Sequence, residues 1–149
     1  MRTRRIVTAT ALTALTVAGV AACGTQSLKD YAQGTWSCSY IDHSEGGTAE
    51  SFTFKVGDGT WVVTESSWNY MDTEEGTSGT WTLGPGGATI TNDDGDEYSG
   101  AMGYPEDATD GTSDLDWDDR PMTLTIAGKK VTIDYSETYG RMTTTCTKA

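Results

Sequence analysis

Histidine, proline and leucine are scarce in this sequence, and each scarcity narrows what the protein can be. The 149 residues hold one histidine and three prolines. The histidine, His43, lies in the polar turn "DHSEGG". Its neighbours Asp42 and Ser44 could be imagined as a triad with it, but adjacent residues rarely reach relay geometry, and there is no G-x-S-x-G elbow. Zinc is short of ligands for the same reason. Nothing among the 22 acids selects a pair for glycoside hydrolysis. The expectation is a non-catalytic protein. Basic residues are also few, ten against 22 acidic, for a net charge of −12. That balance excludes nucleic acid as a partner, because phosphate binding needs clustered Lys and Arg. It equally excludes charge-driven adhesion to anionic lipid. A cationic protein or a metal ion remains compatible, although acidity alone serves solubility.

The three cysteines, Cys23, Cys38 and Cys146, are an odd number and leave one thiol to be explained. The N-terminus supplies an explanation. Arg2, Arg4 and Arg5 precede an uncharged apolar run from Ile6 to Ala22. At about 17 residues the run is short for a membrane span, and it ends in small residues, so it reads as a signal peptide. Its end, Val20-Ala21-Ala22-Cys23, resembles the lipobox of bacterial lipoproteins. The resemblance implies cleavage before Cys23 and a diacylglyceryl group on its sulfur. That group would anchor the protein to the extracytoplasmic face of the cell membrane, since two or more acyl chains hold stably where one does not. Cys38 and Cys146 then remain as an even pair, in a compartment that permits a disulfide.

Without the signal peptide the chain keeps seven basic and 22 acidic residues, and its length suits one domain with one core. No stretch there carries a helical period over three turns. The single helical candidate is "SLKDYAQ", Ser27–Gln33, with Ser27 as its cap. Elsewhere the period is two. Trp36, Cys38 and Tyr40 alternate with polar residues, as do Phe52, Phe54 and Val56, Trp81 and Leu83, and Met122, Leu124 and Ile126. Val131, Ile133 and Tyr135, and then Met142, Thr144 and Cys146, complete the series. Asp58-Gly59, "GPGG" at 84–87 and "AGKK" at 127–130 supply tight turns. About eight short strands in a meander must curl into a barrel or fold into a sandwich to hide their edges. A Cys38–Cys146 bond would make first and last strands neighbours, which favours an up-and-down β-barrel over residues 34–149. Residues 1–22 are then the signal peptide, and residues 23–33 the lipidated cysteine, a tether and the helical turn.

The helical turn running into Gly34-Thr35-Trp36 resembles the G-x-W signature of lipocalins and their calycin relatives. In those barrels the tryptophan plugs the closed end beneath a basic side chain from near the last strand. The resemblance implies that role for Trp36, with Gly34 beside it and Arg141 as the cation. "GTW" recurs at 59–61 and 79–81, at unequal spacings that do not make a repeat domain.

Residues 92–121 hold half of all the acids and read as a long loop. Within it Asp114, Asp116 and Asp118 alternate, an oxygen-rich pattern suited to weak calcium binding, without the register of an EF-hand. Trp117 lies among them as a contact for a partner or sugar, and Trp68 and Tyr70 share a strand face. The aromatics either line an interior that holds a small apolar ligand or fill a core poor in leucine. Three expectations follow: a carrier or sensor of a small apolar ligand, an inhibitor of a cationic hydrolase, or a structural envelope protein. The second draws on "YSGAMGY" at 98–104, which resembles the Ser-Gly-Ala-x-Tyr signature of lipid-anchored lysozyme inhibitors.

Overall fold

Alternation in the sequence becomes a single antiparallel sheet in space. The computed structural model describes residues 25–67, 74–84, 87–100, 103–117, 120–137 and 140–149. A short helix, α1 (Leu28–Ala32), leads into β1 (Gly34–Asp42), and a 3-10 turn at His43–Glu45 follows. Then come β2 (Ala49–Val56), β3 (Thr60–Ser66), β4 (Ser78–Gly84), β5 (Gly87–Asn92) and β6 (Glu97–Gly100). The chain finishes with β7 (Gly111–Trp117), β8 (Arg120–Ala127), β9 (Lys130–Glu137) and β10 (Gly140–Lys148).

Strand order across the sheet is β6-β5-β4-β3-β2-β1-β10-β9-β8-β7. Every strand lies beside its neighbour in sequence, with two exceptions: β1 and β10 pair, and β6 and β7 do not. This is the expected up-and-down meander, with first and last strands together. It is curled rather than closed, and its seam runs between β6 and β7. The two strands beyond the expected eight are those same edges, cut from the acidic stretch that reads as loop. Leu115 explains why a strand forms there: it alternates with Asp114 and Asp116 and is 4% exposed, while both acids face outward. Their spacing matches the pleat of the strand.

The curl brings one face of the sheet inward. Ile126, Val131, Cys146, Cys38 and Phe52 stand opposite one another along successive ladders. Cys38 and Cys146 are direct partners of β1 and β10 and form a disulfide with Sγ atoms 2.02 Å apart. A register shift beside Thr53 and Phe54, where β3 carries an extra residue, adds twist between β2 and β3.

Helix α1 covers one end of the curled sheet. Ser27 caps it, its hydroxyl oxygen accepting the Asp30 N–H at 3.1 Å. The apolar face buries Leu28 and Tyr31. Tyr31 donates its hydroxyl to Gly128 O at 2.8 Å and meets Trp36 edge-on, with ring centroids 5.5 Å apart. The Trp36 indole N–H returns to Ala32 O at 2.7 Å. Above both rings sits Lys148, whose Nζ is 5.2 Å from the Tyr31 centroid and 5.5 Å from that of Trp36. It also donates to Tyr31 O at 2.7 Å. A strap at 103–110 closes over the helix, with Leu28 N donating to Glu106 O and Ala108 N to Gln26 O.

The cation over the tryptophan is therefore Lys148 and not Arg141. Lys148 stands directly opposite Trp36 in the β1–β10 ladder, so the two share the inner face. Arg141 is seven residues away, an odd number, and the pleat turns it outward at the far end of β10.

Gly34 makes this plug possible. Its φ is +132°, and a Cβ built there would lie 2.7 Å from Lys148 Cε. Gly34→Ala is expected to lower stability by about 1–3 kcal/mol through backbone strain, and further by displacing the lysine. Denaturant titration of Gly34→Ala, Lys148→Ala and the double variant checks this. The double variant should be more stable than the sum of the two losses implies, because the overlap is counted only once.

Candidate ligand cavity

Inside the curl lies a cavity of ≈ 450 Å³. A barrel of about eight strands is just filled by its own side chains, and interior width grows with strand number. Ten strands leave a space. Its walls are aromatic and aliphatic: Phe52 and Phe54 from β2, Val63 from β3, Leu83 from β4, and Leu124 and Ile133 from β8 and β9. Among the described residues no Asp, Glu, Lys, Arg or His lines it.

The three G-T-W sequences meet here. Trp36, Trp61 and Trp81 all line the cavity at the end covered by α1. Each indole N–H is occupied by a backbone carbonyl: Trp36 by Ala32 O, Trp61 by Thr80 O at 3.2 Å and Trp81 by Gly57 O at 2.9 Å. Only ring faces and edges are left to the cavity. A buried indole ordinarily seeks such a partner, and helix α1, strand β4 and the turn before β3 supply it. Tyr104, from the strap, also lines the space, and burial pushes its phenol pKa above the ordinary value.

Of the residues singled out in the sequence, Gly34, Trp36, Cys38 and Cys146 come together at the plugged end. Trp36 and Cys146 line the cavity itself. Arg141 is exposed and holds Asp134 in a two-pronged pair, with Nε to Oδ1 at 3.0 Å and NH2 to Oδ2 at 2.7 Å. That hydrogen bonding keeps the Asp134 carboxyl below its ordinary pKa. Asp114 and Asp116 stand exposed on the edge strand β7, and among the described residues no three His, Cys, Asp or Glu side chains gather as metal ligands. Cys23, Trp68, Tyr70 and Asp118 lie outside the described residues, as does the side chain of Trp117. His43 is exposed, its Nε2 3.1 Å from Thr143 Oγ1, while Asp42 accepts the Ser44 N–H and hydroxyl. His43, Asp42 and Ser44 thus form a capped turn.

Sequence reasoning missed Trp61, Trp81, Tyr104 and Lys148. The repeated G-T-W carried a signal for the first two: an inward tryptophan two residues after a glycine, within a strand. Tyr104 carried none. The chain matches no protein-family model, no curated protein and no solved structure, so its fold and cavity are read from its own geometry.

Proposed function

We propose that the protein is a lipid-anchored, non-catalytic binding protein that carries or senses a small apolar ligand in the interior of its curled barrel. The cavity supports this reading: ≈ 450 Å³, walled by aromatic and aliphatic side chains, with the N–H groups of Trp36, Trp61 and Trp81 turned to the backbone. Small-molecule sites are mostly apolar concavities of about this size. The anchor rests on Val20–Cys23 and its likeness to a lipobox. If Cys23 carries the lipid, Leu28 follows five residues later, so the plugged end sits within roughly 17 Å of the membrane surface.

Native mass spectrometry of residues 24–149, exported by its own host, tests the binding. The expected result is a reproducible excess mass that disappears on denaturation. The denatured chain should then weigh about 2 Da less than its reduced form, for one disulfide. A bare native mass, together with failure to take up an apolar fluorescent reporter, would remove the carrier reading.

A further inference from the structure

The hydrogen-bonding groups around the cavity are almost all committed within the protein. Three indoles give their N–H groups to backbone carbonyls, and Tyr31 gives its hydroxyl to Gly128 O. Lys148, the nearest cation to the plug, is taken up by Tyr31 O and by two ring faces. Two lining hydroxyls are uncommitted among the described residues, those of Thr82 and Tyr104; Thr82 is exposed, and Tyr104 is the half-buried one. It lines the cavity, and among the described residues no protein group bonds to its hydroxyl. The hydroxyl is not sealed off either, since no fully buried side-chain oxygen or nitrogen lacks a partner among the described residues.

The strap holds this tyrosine on both sides. Before it, Gly103 has φ +79° and packs so closely on β7 that a Cβ there would lie 2.6 Å from Asp114 O. After it come Pro105, which biases Tyr104 towards extended backbone, and Glu106, whose carbonyl accepts the Leu28 N–H at 2.9 Å. A backbone held in place before a ligand arrives has little freedom left to lose on binding. Burial also keeps the phenol protonated, hence a donor, well into alkaline pH.

We propose that Tyr104 is the polar anchor of the cavity, donating its hydroxyl to an acceptor oxygen on an otherwise apolar, uncharged ligand. The ligand class is thus a neutral ketone, ester or ether with a large hydrocarbon body. A carboxylate is disfavoured because, among the described residues, no cation lines the space to meet it. The inference rests on the carrier reading above and adds the chemistry of what is carried.

Two probes of nearly the same shape test it: acetonaphthone, which has a carbonyl oxygen, and ethylnaphthalene, which has none. Binding is followed by displacement of an aminoanthracene reporter from wild type and from Tyr104→Phe. The variant should bind acetonaphthone about five- to tenfold more weakly, the worth of one neutral hydrogen bond. It should bind ethylnaphthalene within twofold of wild type, which also shows that the variant is folded. Equal losses for both probes, or no loss for either, would overturn the anchor while leaving the carrier reading in place. Naphthoate displacing the reporter more strongly than acetonaphthone would overturn the uncharged class. A wild type that takes up neither reporter nor probe would remove the carrier reading and the anchor with it.

Discussion

Replacing Cys38 and Cys146 together by alanine is expected to lower stability by about 2–5 kcal/mol, a large share of the 5–15 kcal/mol typical of a domain. The bond closes a loop spanning 108 residues. In the chain-entropy account its effect falls on the unfolded state, which loses conformations when its ends are tied, and a loop this long sits near the top of the range. Alanine suits both positions, since Cys38 is buried and Cys146 faces apolar cavity walls. Thermal unfolding should show a midpoint lowered by roughly 10–20 °C. Wild type unfolded in reductant should match the double variant. If the midpoint moved by under about 3 °C, the β1–β10 ladder would be holding the sheet without help from sulfur.

Trp36→Ala is the second large effect, at about 3–5 kcal/mol. The indole is 4% exposed, and its removal takes away three contacts at once. Tyr31 loses its edge-on partner, Lys148 loses one of its two ring faces, and Ala32 O loses a donor at the end of α1. The helix has only five residues, too few to stand without tertiary support, so it should come loose with the tryptophan. Trp36→Phe separates the terms: much of the ring volume stays while the hydrogen bond goes, and the expected cost is about 1–2 kcal/mol. Urea midpoints of the two variants give the comparison. Equal losses would mean that the N–H, rather than the packing, holds the plug. A loss under about 1 kcal/mol for Trp36→Ala would show that α1 docks without it.

The parts of this fold that were legible in the sequence are those governed by parity. Period-two runs located six strands, glycine turns joined them and marked two more, and a cysteine on the first and last strand placed those two side by side. The same parity held one more result. If Cys38 faces Cys146 in an antiparallel ladder, two residues back from one and two forward from the other must also face, and those are Trp36 and Lys148. Arg141 was chosen for its charge and its nearness to the last strand, without that count. The edge strands were hidden for a different reason. Acids on the outer face of β7 give it the composition of a loop, and only Leu115 faces in firmly enough to mark a strand. The cavity was not legible at all. Whether Trp61, Trp81 and Phe54 fill an interior or line one depends on the volume ten strands enclose, and alternation carries no volume. Tyr104 depends on a strap whose path is set by Gly103 against β7, a contact between distant stretches of chain.

The disulfide also fixes how the molecule bears load. Tension applied between residues 25 and 149 reaches α1 and the strap first, where two backbone hydrogen bonds join Gln26 and Leu28 to Ala108 and Glu106. Those can shear. From Cys38 to Cys146, however, the chain is bypassed by a covalent bond, so pulling cannot unravel the strands between them. The slack that can pay out is residues 25–37 and 147–149, roughly 50 Å fully extended. Under such tension the plug would yield long before the curled sheet, and the cavity would lose its cover at the α1 end while its walls stayed folded.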